Sequence, residues 1–498
     1  MACSLPLSLA PGLLLPTSRW TPMQEMPVAP LLRHLLLYLL LAICYAWSIR
    51  LVLATSLRTR AALPIAVTAI VWLASSVILW NLTPGGESHD IFDYIFRGRM
   101  MVEYGLSPLQ STPGQLAAAP YLAHITWREY VDTYGPLWEY ASGLVAATTR
   151  GVLQLTGQWP VGSPDCPAAP VACEVLAAYV IHYRVMATML ALMSGGILFA
   201  IVHRETPVLA PATLLVWLWN PLLLLATAGA HNDMLMLVFW LLAFWCLQRR
   251  FWLAGLLMLA LAAHVKITAL LFAPIFLLWI VRNVGWRRAL TTGLLALIIM
   301  LPISWALYAP LGGWATLPRM LAERSFYVAN SPYQVLNYWL AQWGWPQELR
   351  RQLFTAWPTI LFLALCALLS PLLLGFRRGD MGRAQQTPDS PQLWRAASVI
   401  TLLYLTVGAF WFQYWYVLWW LLPSALLPLS RLTRWLAPWL AFGAMSSQAL
   451  FDYLPLLYGQ PLDRGERIVA VVAMIWTPAV LAVVVQSRLE KRKPLYIP

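Results

Sequence analysis

Charge is what this chain has least of. Of its 498 residues, 11% are charged and 60% hydrophobic, whereas soluble proteins carry about 25% charged side chains. So few charges cannot cover a water-facing surface, which excludes a soluble globular protein and leaves bilayer lipid as the outer solvent. No GxGxxG, Walker loop or soluble nucleotide-binding domain is present, so direct use of a nucleotide-activated substrate is not expected. Six scattered cysteines form no CxxC or His/Cys cluster, and neither a metal nor a cofactor is called for. Only Cys166 and Cys173 share a loop; they pair if it faces an oxidising compartment and stay thiols otherwise. No internal repeat is visible. Residues 1–30, rich in Pro and Leu with a single Arg, lack the basic start and small-residue cleavage site of a signal peptide and read as a flexible leader.

What is abundant is apolar sequence. Runs of bilayer-crossing length fall near 35–57, 61–81, 175–202, 208–229, 234–248, 251–264, 267–282, 288–308, 353–374, 395–411, 414–430, 435–453 and 467–487. They predict an all-α polytopic membrane protein of about thirteen transmembrane helices, a single integral-membrane domain over 31–498. The formal charge of +13 does not point to nucleic acid, because the basic residues sit in short loops between apolar runs. Arg58 and Arg60, His203 and Arg204, Arg249 and Arg250, Arg282, Arg287 and Arg288, Arg377, Arg378 and Arg383, Arg431 and Arg434, and the basic tail all fall on one side. The positive-inside rule makes that side, and the C-terminus, cytoplasmic. Long connections over 82–174 and 309–352 then lie outside. The moderately apolar segment 137–157 reads as an interfacial or re-entrant helix.

The external loops hold the polar residues. In SHDIFDYIFRGRMMVEYGLSPL, a helix over 88–104 places Asp90, Asp93, Tyr94, Arg97 and Met101 on one face, with Ser88 as its cap. That predicts an amphipathic juxtamembrane helix, apolar toward lipid or core and acidic opposite. Acids in a first helical turn also serve simply as caps. Tyr134-Gly135-Pro136 breaks the chain before Glu139. His231, Asn232 and Asp233 end one apolar run, and His264 and Lys266 stand at an outer turn between two others. A lysine in an apolar stretch costs at least about 2.5 kcal/mol near the bilayer centre and usually faces a cavity or an anion. Arg184, inside the run 175–202, raises the same question. Tyr333 in the second loop and Gln413, Tyr414 and Tyr416 in FWFQYWYVLWW complete the candidates. Carboxylates at one end of an external cavity and cations at the other suit group transfer, with a base for an acceptor hydroxyl and a site for a departing phosphate.

The order HDIFDYIFRGRMMVEYGLSPL, YGPLWEY, WNPLLLLATAGAHNDMLML, AGLLMLALAAHVKITALLFAPI and FQYWYVLWWLLP resembles the polyprenyl-phosphate-sugar-dependent GT-C glycosyltransferases. Among these it is similar to bacterial α-mannosyltransferases of the actinobacterial lipoglycan type and to the catalytic subunit of the first GPI mannosyltransferase. The likeness covers most of residues 80–430. By the order of its motifs rather than any single one, it implies an inverting transfer from a polyprenyl-phosphate sugar to a glycan or glycolipid acceptor on the external face of a bacterial plasma membrane. The Asp90/Asp93 pair would supply the base. Lys266, His264 and Arg184 would serve the phosphate or its surroundings, and Tyr94, Arg97, Tyr134, His231, Asn232, Asp233, Tyr333, Gln413 and Tyr416 would line the substrate site. The acids are spaced DxxD where many members have DxD, and Leu109 stands where the family often has an aromatic, so which Asp is the base stays open. A multi-pass transporter or flippase is the alternative; it would favour internal repeats and polar residues near mid-membrane.

Overall fold

Prolines, an asparagine and paired arginines decide where the apolar runs break. The computed structural model describes residues 28–56, 71–76, 88, 90–157, 159, 174–323, 328–375, 390–458 and 465–492. The leader up to residue 27, Cys166, Cys173 and most of the run 61–81 lie outside them. In chain order the helices are α1 (Val28–Ser56), α2 (Asp90–Glu103), α3 (Pro136–Leu155), α4 (Glu174–Glu205), α5 (Ala210–Leu218), α6 (Pro221–Ala228), α7 (Asp233–Gln248), α8 (Trp252–Ala263), α9 (Ala273–Val284), α10 (Trp286–Tyr308), α11 (Leu317–Glu323), α12 (Pro332–Gln342), α13 (Gln347–Leu373), α14 (Ser390–Leu403), α15 (Val417–Ala425), α16 (Arg431–Tyr458) and α17 (Gly465–Arg492).

Six helical stretches are long and apolar enough to cross a membrane: Leu31–Ala54, Val175–Glu205, Ile267–Val284, Trp286–Leu311, Gln347–Leu373 and Gly465–Arg488. A seventh is the pair α5 and α6, bent by 51°. This is a multi-pass membrane protein, but the described residues reach six or seven candidate spans rather than thirteen. The physical reason is local. At the bend, Asn220 Oδ1 accepts the Leu222 N–H at 2.9 Å and Pro221 starts a new helix. The runs 234–248 and 251–264 fold as helices of 16 and 12 residues, stopped at Arg249–Arg250 and at His264. The run 395–411 leaves the helix at a π turn over Tyr404–Gly408, and 414–430 is helical as α15 over nine residues. α16 carries Ser446, Ser447 and Gln448 in mid-helix and is not among these stretches. The lipid-facing sides are plain on α10 and α13, where Leu297, Ile298, Leu363, Leu368 and Leu372 are exposed.

The packing encloses α2. It lies along α3, which lies along α4; α4 also packs on α7, and α7 on α8. The expected juxtamembrane helix is present, but Ile91 to Met100 are all buried, so its polar face is enclosed as well as its apolar one. The loop 105–135 and α3 cover the side that the sequence pattern left polar. As the sequence predicts, Ser88 caps α2, its Oγ accepting the Asp90 N–H at 3.2 Å. At the other end Gly105, with φ +63°, lets the Leu106 N–H return to the Met100 carbonyl at 2.9 Å.

Candidate active site

The two acids of α2 are separated by what they touch. Asp93 is buried, and its carboxylate accepts the backbone N–H groups of Thr126 (3.2 Å) and Trp127 (3.1 Å). Arg97, one turn on, pairs through Nε with Asp132 (3.3 Å) and donates from Nη2 to the carbonyls of Trp127 (3.2 Å) and Tyr130 (3.0 Å). Both charges therefore hold the loop 126–132 against the helix. Asp90 is different. Its side chain is 19% exposed and lies with Oδ2 3.9 Å from Nδ1 of buried His231. Burial first, and then the Lys266 charge, keep the His231 imidazole well below its usual pKa, so it is neutral at ordinary pH. The ring stacks on Trp415 with centroids 3.6 Å apart. Near Asp90, burial, Tyr134 and the charges of Asp90 and Asp233 hold the proton on Tyr94, whose ring meets Trp138 edge to face at 4.9 Å.

Backbone docking brings the next two motifs together. The Gly135 N–H donates to the Val265 carbonyl and the Leu137 N–H to the His264 carbonyl, each at 2.9 Å. A Cβ on Gly135 would lie 2.1 Å from that His264 oxygen, so only glycine permits the approach. Gly135→Ala is expected to cost about 1–3 kcal/mol by forcing the segments apart. Thermal unfolding in detergent measures this, and an unchanged midpoint would contradict the docking.

Lys266 leaves that turn and enters an aromatic cage. Its Nζ lies 3.0 Å from Asp233 Oδ1, 4.6 Å from the Tyr416 ring centroid, 4.9 Å from Trp419 and 5.6 Å from Tyr134. Trp419 Nε1 donates to the same Asp233 oxygen at 2.7 Å. Asp233 Oδ2, both ring nitrogens of His231 and both polar atoms of the Asn232 amide are buried without a hydrogen-bond partner among the described residues. Among those residues no group of three or more His, Cys, Asp or Glu side chains is arranged to hold a metal.

Glu139, in the first turn of α3, is fully buried beside Asp132 and Arg97. Burial raises its pKa well above the carboxylate range; the nearby Asp132 adds to the rise, and Arg97 opposes it. The folded state thus holds a proton that the unfolded chain releases. Its contribution is complete below the unfolded carboxyl pKa and is lost as pH rises toward the folded value. Glu139→Gln is expected to flatten the decline in thermal stability above that range; an unaltered pH profile would remove Glu139 as its source.

Of the remaining candidates, Arg184 donates from Nε to the Ala228 carbonyl at 2.7 Å, at the end of α6 beside the turn that carries His231. His264 Nδ1 donates to the Ala260 carbonyl at 2.7 Å, and burial lowers its pKa, so it closes α8 as a neutral ring. Tyr333 donates to the Val407 carbonyl and meets Phe354, apart from this cluster. Gln413 precedes the turn Tyr414–Tyr416, its carbonyl accepting the Tyr416 N–H at 3.0 Å. The structure thus gathers Asp90, Tyr94, Tyr134, His231, Asp233, Lys266 and Tyr416, and sets Tyr333 aside. Trp415 and Trp419 were not singled out from the sequence, and Gly135 only as part of a chain break; the i, i+3 spacing of Tyr416 and Trp419 was the available signal for the last.

Residues 7–282, more than half of the chain, match the family described as alpha-(1->6)-mannopyranosyltransferase, N-terminal domain, the MptA/B family. The chain belongs to that family. No curated protein matches it. The protein is a membrane mannosyltransferase, as the order of its motifs implies. The matched segment of this alpha-(1->6)-mannosyltransferase contains α2, the Tyr134–Pro136 turn, His231–Asp233 and Lys266.

Proposed function

We propose that this mannosyltransferase is an inverting enzyme that moves mannose from a polyprenyl-phosphate carrier to a glycan or glycolipid acceptor on the external face of a bacterial plasma membrane. The observation that carries the reading is the part-exposed Asp90 carboxylate beside neutral His231, at the edge of an otherwise buried cluster. Asp90 removes the proton of the acceptor hydroxyl as its oxygen attacks C1 of the donor mannose. The C1–O bond to phosphate breaks on the opposite face, and the phosphate leaves on its lipid. Inversion to an α product requires a β-linked donor. His231 stays neutral beside Asp90 and adds no positive charge of its own, and Lys266 supplies the positive charge within the cluster. Incubating membranes with radiolabelled polyprenyl-phosphate mannose tests the reading; no transfer above a membrane blank would overturn it.

The orientation follows from which ends of the helices meet. Asp233, His264 and Tyr308 lie at one end of α7, α8 and α10, while Arg249, Arg250, Arg287 and Arg288 lie at the other. Assigning the arginine ends to the cytoplasm places the cluster outside, with shorter helices such as α7 and α8 as the further passes of a thirteen-span arrangement. Gln115 is exposed on the first loop. Gln115→Cys is expected to react with an impermeant thiol reagent added to intact cells; labelling only after the membrane is opened would reverse the topology.

A further inference from the structure

Asp93 and Arg97 both spend their bonds on one short segment, and that segment presents tryptophan. The Asp93 carboxylate holds the Trp127 N–H, and Arg97 holds the Trp127 and Tyr130 carbonyls. The Trp127 and Tyr130 rings meet edge to face at 5.9 Å, and Trp127 lies 5.6 Å from Trp411. Trp411 is fixed independently. It forms a bridge with Ala329, whose N–H donates to the Phe410 carbonyl at 3.2 Å and whose carbonyl accepts the Phe412 N–H at 2.9 Å. Two segments far apart in sequence are therefore pinned through their backbones so that their indoles lie side by side, tilted by 49°.

Indoles at a membrane surface commonly sit in lipid headgroups. Several tryptophans of this chain are far more open: Trp47 is 70% exposed, Trp286 54%, Trp305 54%, Trp343 68% and Trp357 59%. Trp127 and Trp411 are only partly exposed, and the charged residues Arg128 and Glu129 stand open beside Trp127. The pair is also continuous with the candidate active site. Asp93 lies one helical turn from Asp90, and Trp411 lies just before Tyr414 and Trp415, which contact His231.

We propose that Trp127 and Trp411, with Tyr130, form a binding platform for the mannosyl units of the glycan acceptor. The electron-rich ring faces attract the C–H groups on the apolar side of a pyranose, while rigid backbones keep the platform in register with Asp90. Asp93 and Arg97 are then positioning residues that act through Trp127. This inference rests on the proposed external acceptor, yet its binding test needs no donor.

The test uses the full chain in lipid nanodiscs and an α-(1→6)-linked mannotetraose, read by saturation-transfer NMR and isothermal titration. Trp127→Ala and Trp411→Ala are expected to weaken binding about tenfold each, and the Phe variants to restore most of it. In transfer assays the acceptor KM should rise by about the same factor with the donor KM unchanged. Wild-type binding equal to that of a maltotetraose control, or Ala variants that bind the mannotetraose as wild type does, would overturn the platform. So would Ala variants whose only change is weaker retention in bilayers, the mark of a lipid anchor. Mannotetraose binding without transfer from polyprenyl-phosphate mannose would refute the donor assignment and leave the platform standing.

Discussion

Replacing Asp90 by Asn is expected to lower mannose transfer by about 10²- to 10⁴-fold, the range of a lost general base, with the fold intact. Asn keeps the size of the side chain, and the cap of α2 runs from Ser88 Oγ to the residue-90 backbone N–H, which the substitution does not touch. Asp93→Asn should behave differently. It removes the charge from an acceptor of two backbone N–H groups, where hydrogen bonds to a charged group contribute about 1.5–3 kcal/mol each. Its main effect should be a lower unfolding temperature and a looser 126–132 loop. Transfer of labelled mannose in membranes, measured beside thermal unfolding in detergent, separates the two. An active Asp90→Asn with a stable but inactive Asp93→Asn would exchange their roles.

The second large effect is expected at Asp233. Its carboxylate is wholly buried and accepts from both Lys266 and Trp419. Asp233→Ala would leave the Lys266 ammonium among aromatic rings with no counter-ion, and breaking a buried pair in this way costs about 3–5 kcal/mol. Asp233→Ala/Lys266→Met should recover most of that stability without recovering transfer, since the Lys266 charge is gone. Should the single variant unfold within about 1 kcal/mol of wild type, the figure for a solvent-screened pair, Lys266 is hydrated and not caged.

These two cases mark what could be read from sequence. Helical spacing put Asp90, Asp93, Tyr94 and Arg97 on one face, and Ser88 caps them as its position before the acids implies. The short polar motifs at Tyr134, His231 and Lys266 were visible because each interrupts apolar sequence, and the structure brings all three to one end of the bundle. Periodicity, however, states which residues share a face and not what covers that face. It gave no sign that the loop 126–132 would take the bonds of Asp93 and Arg97 and so enclose the polar face of the juxtamembrane helix. Among the described residues the spans reach six or seven for a related reason. Hydropathy counts apolar residues, whereas Asn220–Pro221, Arg249–Arg250 and the π turn after Leu403 set helix length through backbone hydrogen bonds.

The joint between Gly135–Leu137 and His264–Val265 is made of main-chain atoms alone. Side chains on either segment can therefore be exchanged without deleting it, provided position 135 stays glycine. A chimera that imports a foreign first loop should carry residues 126–137 as one cassette and leave the recipient's 260–266 hairpin tip untouched, because the joint is indifferent to which side chains flank it.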